Sequence, residues 1–565
     1  MDTQRLILFF VFVFSTFMLV EGWQRDQKLQ QTPATQAAGK GAAGTDSKSS
    51  GGIPVPTAPT TVPTAPASPT ASAGAVPASA LVAGGEIIKI DTDVLRIELS
   101  TKGGDIRRLE LKQHKGTLDK NKNFVLFQSL ADHTYIAQSG LIGQEGLPDH
   151  RTTYTASARE YKLADGAPTL EVRLEAPESN GLKTAQIYKF SRGSYSIDVA
   201  YEITNGSDKS VQPHGYFQLV RDRKPPDGDS AMLPTYTGAA VYTSGEKYQK
   251  VAFDDIDKGK TPYAKASQTE GWVAIVQHYF LSAFLPKDKA SREFSTVKLE
   301  NGLYLARVVV AGAAVEPGKQ GSVSSTLYAG PQDTETLKKL APDLDLVVDF
   351  GILTVIAVPL FLVLRWIHEW VGNWGIAIIL LTVLIKAIFY PLQEASYKAM
   401  AKMKVIAPKM QQLKERYGDD KQRMQKAMME LYQKEKVNPM AGCLPIIVQM
   451  PVFISLYWVI LAAVELRHAP FYGWIQDLSA IDPWYVLPVL MGASMIIQTR
   501  LNPEPPDPVQ AKVMKIMPIA FSVFFFFFPS GLVLYWLVNN ILSIAQQWHI
   551  NLVIEGGSKK PAAKT

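Results

Sequence analysis

Apolar positions along the chain follow two different periods. Between residues 85 and 340 they alternate with polar ones. Leu95, Ile97 and Leu99 alternate with Arg96, Glu98 and Ser100, and Leu170, Val172 and Leu174 alternate with Glu171, Arg173 and Glu175. In Tyr195–Thr204 the alternate set is Tyr195, Ile197, Val199, Tyr201 and Ile203, closed by Asn205-Gly206. A period of two marks strands with one buried face. Such strands, recurring with turn residues, predict a large all-β sandwich. No carboxylate pair, Ser/His set or Gly-rich phosphate loop stands out in it, so an enzyme built on this domain is a weak reading.

Elsewhere the apolar residues come in runs. Leu6–Val20 follows Arg5 and precedes Trp23. A cleaved signal peptide and an uncleaved signal anchor both fit, but no small-x-small site follows and there is no lipobox cysteine, which favours the anchor. Thr32–Ala80 is rich in Pro, Ala, Thr, Ser and Gly and predicts an extended tether. Phe350–Leu364 carries Pro359 and is short for a span, closer to an interfacial or re-entrant helix. Trp374–Leu392 covers the roughly 30 Å of a hydrocarbon core. After it come Gly442–Val464, Trp484–Gln498, Ile516–Phe528 and Leu532–Ile544. Runs of about 13–15 apolar residues reach only about 20–23 Å, so the bilayer is expected to thin beside them.

Charge sets the orientation. The loop Gln393–Val437 holds eleven Lys/Arg against six Asp/Glu. Cytoplasmic loops carry that excess, so the loop lies inside and Phe350–Leu364 lies on the outer surface without crossing. The scheme then holds six spans with both termini cytoplasmic. The same loop reads as a helical hairpin. Met400, Met403, Ile406, Met410, Leu413 and Tyr417 form one apolar stripe, Gly418 ends that helix, and Asp419 or Asp420 caps a second bearing Met424, Met428 and Leu431. The two stripes can pack on each other alone, or the methionines can also serve varied apolar partners.

Within 565 residues the net charge is only +6, and its placement says more than its size. The single cysteine, Cys443, excludes an intramolecular disulfide, and the eight scattered histidines show no ligand-like spacing, so no metal or cofactor is expected. The chemistry concentrates at Lys386, the one full charge in Trp374–Leu392. A central lysine costs roughly 2.5–3.5 kcal/mol on insertion scales. It either faces inward for a purpose or snorkels past Pro391 to the nearer headgroups. A transporter using Lys386 as counter-ion would call for internal repeats with paired broken helices, and none is found.

Several motifs resemble the YidC family of membrane-protein insertases in its Gram-negative form. They are GNWG (372–375), YPL (390–392), AKMK…PK (401–409), GDDKQR (418–423), EKVNP (435–439), GCLP (442–445) and QMP (449–451). VELRHAPF (464–471), DLSAIDP (477–483), LPVLMG (487–492) and FPSGLVLYW (528–536) continue the match, and GWVAIVQHYFLSAFLP (271–286) extends it into the β-domain. The resemblance implies a polytopic α-helical membrane protein of the inner membrane, with a five-span core and a mutarotase-like periplasmic β-sandwich without known catalysis. The core would enclose a hydrophilic groove open to the cytoplasm and lipid. Lys386 falls where many members carry arginine, and Gln449, Met450, Phe453, Tyr535 and Trp536 would line the groove. The hairpin methionines Met400, Met403, Met410, Met424 and Met428 would face ribosomes or signal-recognition targeting factors. Further implied partners are nascent membrane proteins, the Sec translocon (SecYEG, SecDF) and the phospholipid bilayer, with no specific nucleic acid sequence.

The expected division is a signal anchor over 1–23, a linker over 24–84, the β-sandwich over 85–342 and an interfacial amphipathic helix over 343–371. The core follows over 372–549, with the cytoplasmic hairpin at 393–437 inside it, and a basic cytoplasmic tail over 550–565.

Overall fold

A computed structural model of the chain describes residues 84–228, 235–263, 268–418, 420–435, 444–501 and 508–558. The expected signal anchor, the tether up to residue 83, Cys443 and the tail from residue 559 lie outside the described residues.

Strands between Ile87 and Pro331 form two nine-stranded sheets. Among the described residues the strand pairs are antiparallel except one, Ile87–Asp91 with Glu160–Lys162. The period-two pattern governs what is buried. Leu95, Ile97 and Leu99 of Leu95–Ser100 face Ile197, Val199, Tyr201 and Ile203 of Ser196–Asn205 in a single core between the sheets. Burying a large apolar side chain fully contributes roughly 1.5–3 kcal/mol, so this alternation fixes the register. The Asn205-Gly206 turn does not join neighbours in one sheet. Ser196–Asn205 lies in the second sheet and the next strand, His214–Arg221, in the first. Asn205 holds this crossing by donating to the carbonyls of Lys209 and Val315, both at 2.8 Å.

Ten helices are described: α1 (Phe253–Asp257), α2 (Thr334–Leu340), α3 (Thr354–Val371), α4 (Trp374–Ile388), α5 (Tyr390–Tyr417), α6 (Lys421–Lys434), α7 (Leu444–Ala462), α8 (Val486–Leu501), α9 (Pro508–Phe524) and α10 (Ser530–Ser558). Taken singly, only α3 among them is long and apolar enough to cross a membrane, and α4 with the first half of α5 makes a second candidate bent by 67°. The α3 helix outruns the apolar stretch ending at Leu364. It continues through Arg365 and Glu369, whose ion pair of 3.6 Å bridges one turn on its surface.

The GNWG motif turns α3 into α4. Gly372, at φ +65°, takes the left-handed position that ends α3, its N–H donating to His368 O at 2.7 Å. Asn373 then caps α4 by accepting from Ile376 N at 3.1 Å. Trp374 stacks on His368 with centroids 3.9 Å apart, and Gly375 lets Phe471 approach closely.

Phe471 belongs to the loop over residues 464–483, which is held by its own aspartates. Asp477 accepts from His468 N and Nδ1, Ser479 N and Oγ, and Lys120 Nζ, at 2.7–3.1 Å. Asp482 accepts from the Trp474 indole at 3.0 Å and from Leu487 N at 2.7 Å, at the start of α8. The first turn of α10 is fastened to the same loop, with Ser530 N and Gly531 N donating to Ala480 O and Leu478 O.

The β-sandwich rests on these elements. The second sheet presents Trp272, Ala274, Leu281 and Ala283 to Leu337, Leu344, Val347 and Phe350, and that cluster runs on into α3, α4, α7 and α10. Lys250 pairs with Asp349, and Arg467 donates to Lys115 O at 2.6 Å and Thr117 Oγ1 at 3.1 Å. At its C-terminal end the domain is therefore packed against the helices.

Candidate functional site

Lys386 lies in the last turns of α4, only 8% exposed, on the side that packs against α10. Its ammonium donates to Ser543 Oγ at 2.6 Å and to Gln393 Oε1 at 3.2 Å. Ser543 passes the contact on, donating to the backbone carbonyl of Asn539 at 2.8 Å. The side chain of Asn539 accepts from Gln449 Nε2. One connected set of polar groups thus joins α4, α5, α7 and α10. Beside it Asn540 donates to Ser494 Oγ at 2.7 Å, bringing in α8.

Aromatic rings border this set. Phe453 meets Trp536 edge-on at 4.0 Å and stacks over Tyr535 at 6.4 Å. Tyr535 is buried, and Phe453 and Trp536 are half-buried. Lys386, Gln449, Phe453, Tyr535 and Trp536 are therefore brought to one region of the bundle. Met450 is not, since it is 43% exposed on the outside of α7.

Sequence reading missed Gln393, Asn539 and Ser543. A signal for two of them existed. Asn539, Ser543 and Gln547 recur at intervals of four, which puts three polar groups on one helix face. Gln393 lies seven residues after Lys386, on the same helical face, but Pro391 between them and the 67° bend hid how close the two come.

In the hairpin, Met403, Ile406, Met410, Met428, Leu431 and Tyr432 form a small cluster between α5 and α6. Asp420 caps α6 by accepting from Gln422 N and Arg423 N. Met400 and Met424 are half-buried outside that cluster, whereas Met429 is 60% exposed.

Electrostatics outside the long apolar helices centre on the loop 464–483. Burial alone would raise the Asp477 carboxyl. The hydrogen bonds from His468 and Ser479, with the charges of His468 and Lys120, outweigh it and hold Asp477 well below the usual carboxylate range. His114 goes down to about 4, first through burial and then through the nearby charges of Arg467 and His468. Arg467 lies over the rings of Phe124, Tyr279 and Phe280 at 5.3–5.9 Å.

Comparison with known proteins places these features in a lineage. The family model described as YidC periplasmic domain matches residues 87–363, and that described as 60Kd inner membrane protein matches residues 366–557. The membrane protein insertase YidC of Aromatoleum aromaticum is 55% identical over 565 residues, covering all of both chains. That of Dechloromonas aromatica is 52% identical over 560 residues, covering 99% of each. Among solved structures, a crystal structure of an active YidC insertase with its first transmembrane domain resolved aligns with TM-score 0.38 and 19% identity, over 82% of this chain and 92% of that one.

Proposed function

The chain belongs to the YidC family of membrane protein insertases, inner-membrane proteins and not enzymes, and from that premise we propose that Lys386 and its polar neighbours are where it receives its substrate. The polar part of a nascent membrane protein enters a groove between α4, α5, α7 and α10. Its apolar helix then leaves sideways into lipid. Lys386 supplies the attraction, Gln449 and Tyr535 offer hydrogen bonds, and Phe453 and Trp536 form an apolar wall. Met450, on the outer side of α7, would meet the helix as it leaves.

One observation carries this reading. The Lys386 ammonium points into the bundle and is held there by Ser543 and Gln393. A snorkelling lysine would send its amine outward to the headgroups. The loop 464–483 supports a groove closed on that side, since Asp482 ties it to the start of α8 and the first turn of α10 donates to its carbonyls at Leu478 and Ala480.

The test is insertion of a substrate with an acidic translocated tail, at matched levels of insertase. Attraction through an intermediate dielectric needs the sign of the charge more than its shape. Lys386→Arg should be nearly neutral, and Lys386→Leu and Lys386→Glu should impair insertion. Wild-type insertion by Lys386→Leu would sink the reading.

The finer topology belongs to the same proposal: six spans, both termini cytoplasmic, and α3 lying at the outer interface. The excess of basic residues in 393–437 supports it. Cysteine labelling at Gln411 from the inside and at Gln476 from the outside, in a Cys443→Ser background, tests it. Both side chains are exposed. The hairpin α5–α6 would then meet ribosomes or signal-recognition factors, and the outer face the Sec translocon. A mutarotase-like ancestry of the sandwich is proposed on its two stacked antiparallel sheets.

A further inference from the structure

The surroundings of Lys386 hold polar groups without charge. Its two partners, Gln393 and Ser543, are neutral, and no charged group is brought against it among the described residues. The polar side chains linked nearby are neutral as well: Asn539, Asn540 and Gln449 are amides, and Ser494 is a hydroxyl. The nearest carboxylate in sequence is Glu394, which follows Gln393 directly. It faces the other way, paired with Lys398 at 2.6 Å.

This arrangement is built by the bend. Along a continuous helix, seven residues separate side chains by about 10.5 Å of axial rise. The 67° bend between α4 and α5 shortens that separation on its inner side, where Gln393 Oε1 meets the Lys386 ammonium at 3.2 Å. Pro391, in the first turn of α5, has no N–H to lose there. A lone buried ammonium is normally stabilised by a carboxylate. Here two neutral acceptors hydrogen-bond it and leave its charge whole.

We propose that Gln393 and Ser543 determine the insertase's preference for acidic substrate segments, by holding the Lys386 ammonium in place without neutralising it. This rests on the reading of Lys386 as a groove charge. The three N–H donors of the ammonium exceed the two acceptors that hold it, so one remains for an aspartate or glutamate of the incoming chain. Such an acid restores the missing counter-charge, whereas a neutral tail gains only a hydrogen bond. Gln393 and Ser543 act through Lys386 and are positioning residues.

The test compares two model substrates that differ only in whether the translocated tail is acidic or neutral, at matched insertase levels. Gln393→Glu keeps the side chain's size but sets a carboxylate against Lys386. Insertion of the acidic tail should fall about tenfold with that of the neutral tail unchanged, since an internal ion pair cancels the attraction. Gln393→Met removes one of the two acceptors without adding charge and leaves Ser543 to hold the ammonium, so the acidic preference should fall, but by less than with Gln393→Glu; a loss as large as that of Gln393→Glu, or none at all, would overturn the proposal. An equal loss on both tails, or no loss on either, for Gln393→Glu would overturn the proposal. If Gln393→Glu does not accumulate, Ser543→Asp carries the same expectation and the same overturning results. Lys386→Leu run alongside separates the two failures. Normal insertion of acidic tails by that variant defeats the groove reading itself, whereas a selective loss there beside an unaffected Gln393→Glu defeats only the role of the neutral partners.

Discussion

Gly375 has no room for even one more carbon. A Cβ built on it would sit 2.1 Å from Phe471 Cδ2 and 3.0 Å from Phe471 Cβ, so the whole side chain, not only its tip, blocks the space. Phe471 cannot retreat freely, because its N–H donates to Ile475 O at 3.0 Å and its carbonyl accepts from Asn373 at 3.2 Å. Overpacking of this kind costs typically about 1–3 kcal/mol. Gly375→Ala should therefore lower the thermal midpoint of the detergent-solubilised protein, and Phe471→Ala in the same chain should recover part of the loss. Strictly additive effects of the two changes would contradict the contact. The motif letters around Gly375 were readable in the sequence, but its reason was not, since Phe471 lies far along the chain.

At the scale of elements, period alone told most of the story for strands and less for helices. The alternation in Leu95–Ser100 and Ser196–Asn205 named the buried set because a strand has only two faces. It did not reveal that Asn205-Gly206 leads into the opposite sheet, since a turn's composition does not say where the chain goes next. In α5 and α6 the stripe identified the side that packs, with Met410 almost fully buried and Met429 turned out. The two methionines separate packing from partner binding. Met410→Ala should destabilise the hairpin by about 2–5 kcal/mol, as buried large-to-small changes do, and make it more sensitive to proteolysis. Met429→Ala should leave proteolysis unchanged. Equal sensitivity in both variants would refute the packed pair of helices. The partners of Lys386 were illegible for a different reason. Ser543 is 157 residues away, and only the assembled bundle brings it within 2.6 Å.

At the scale of the whole molecule, the sandwich and the helices meet around Arg467, and pH should act on that joint. His114 contacts the ring of Phe280 at 5.3 Å, and Arg467 lies over the same ring. Burial, then the charges of Arg467 and His468, bring His114 from 6.5 down to about 4. The undocked or unfolded state takes up a proton near the ordinary value and the docked state does not, so the joint is at full strength above about pH 6.5 and weakens as pH falls towards 4. Each tenfold difference in proton affinity between the two states is worth about 1.4 kcal/mol, so the loss is on the order of 3 kcal/mol. Asp477 also weakens the joint as pH falls, but further down. Its depressed carboxyl stays ionised through this window, and its ion pair with Lys120 at 3.1 Å loses strength only at lower pH still. His150 is also lowered by burial inside the sandwich, so a falling stability on acidification would not by itself single out the joint. His114→Gln does, because glutamine is neutral at every pH and leaves His150 in place. The first thermal transition of wild type should lie above that of His114→Gln at pH 7, and the gap should shrink steadily down to pH 4.5. Parallel curves would mean that His114 is not held neutral at the joint.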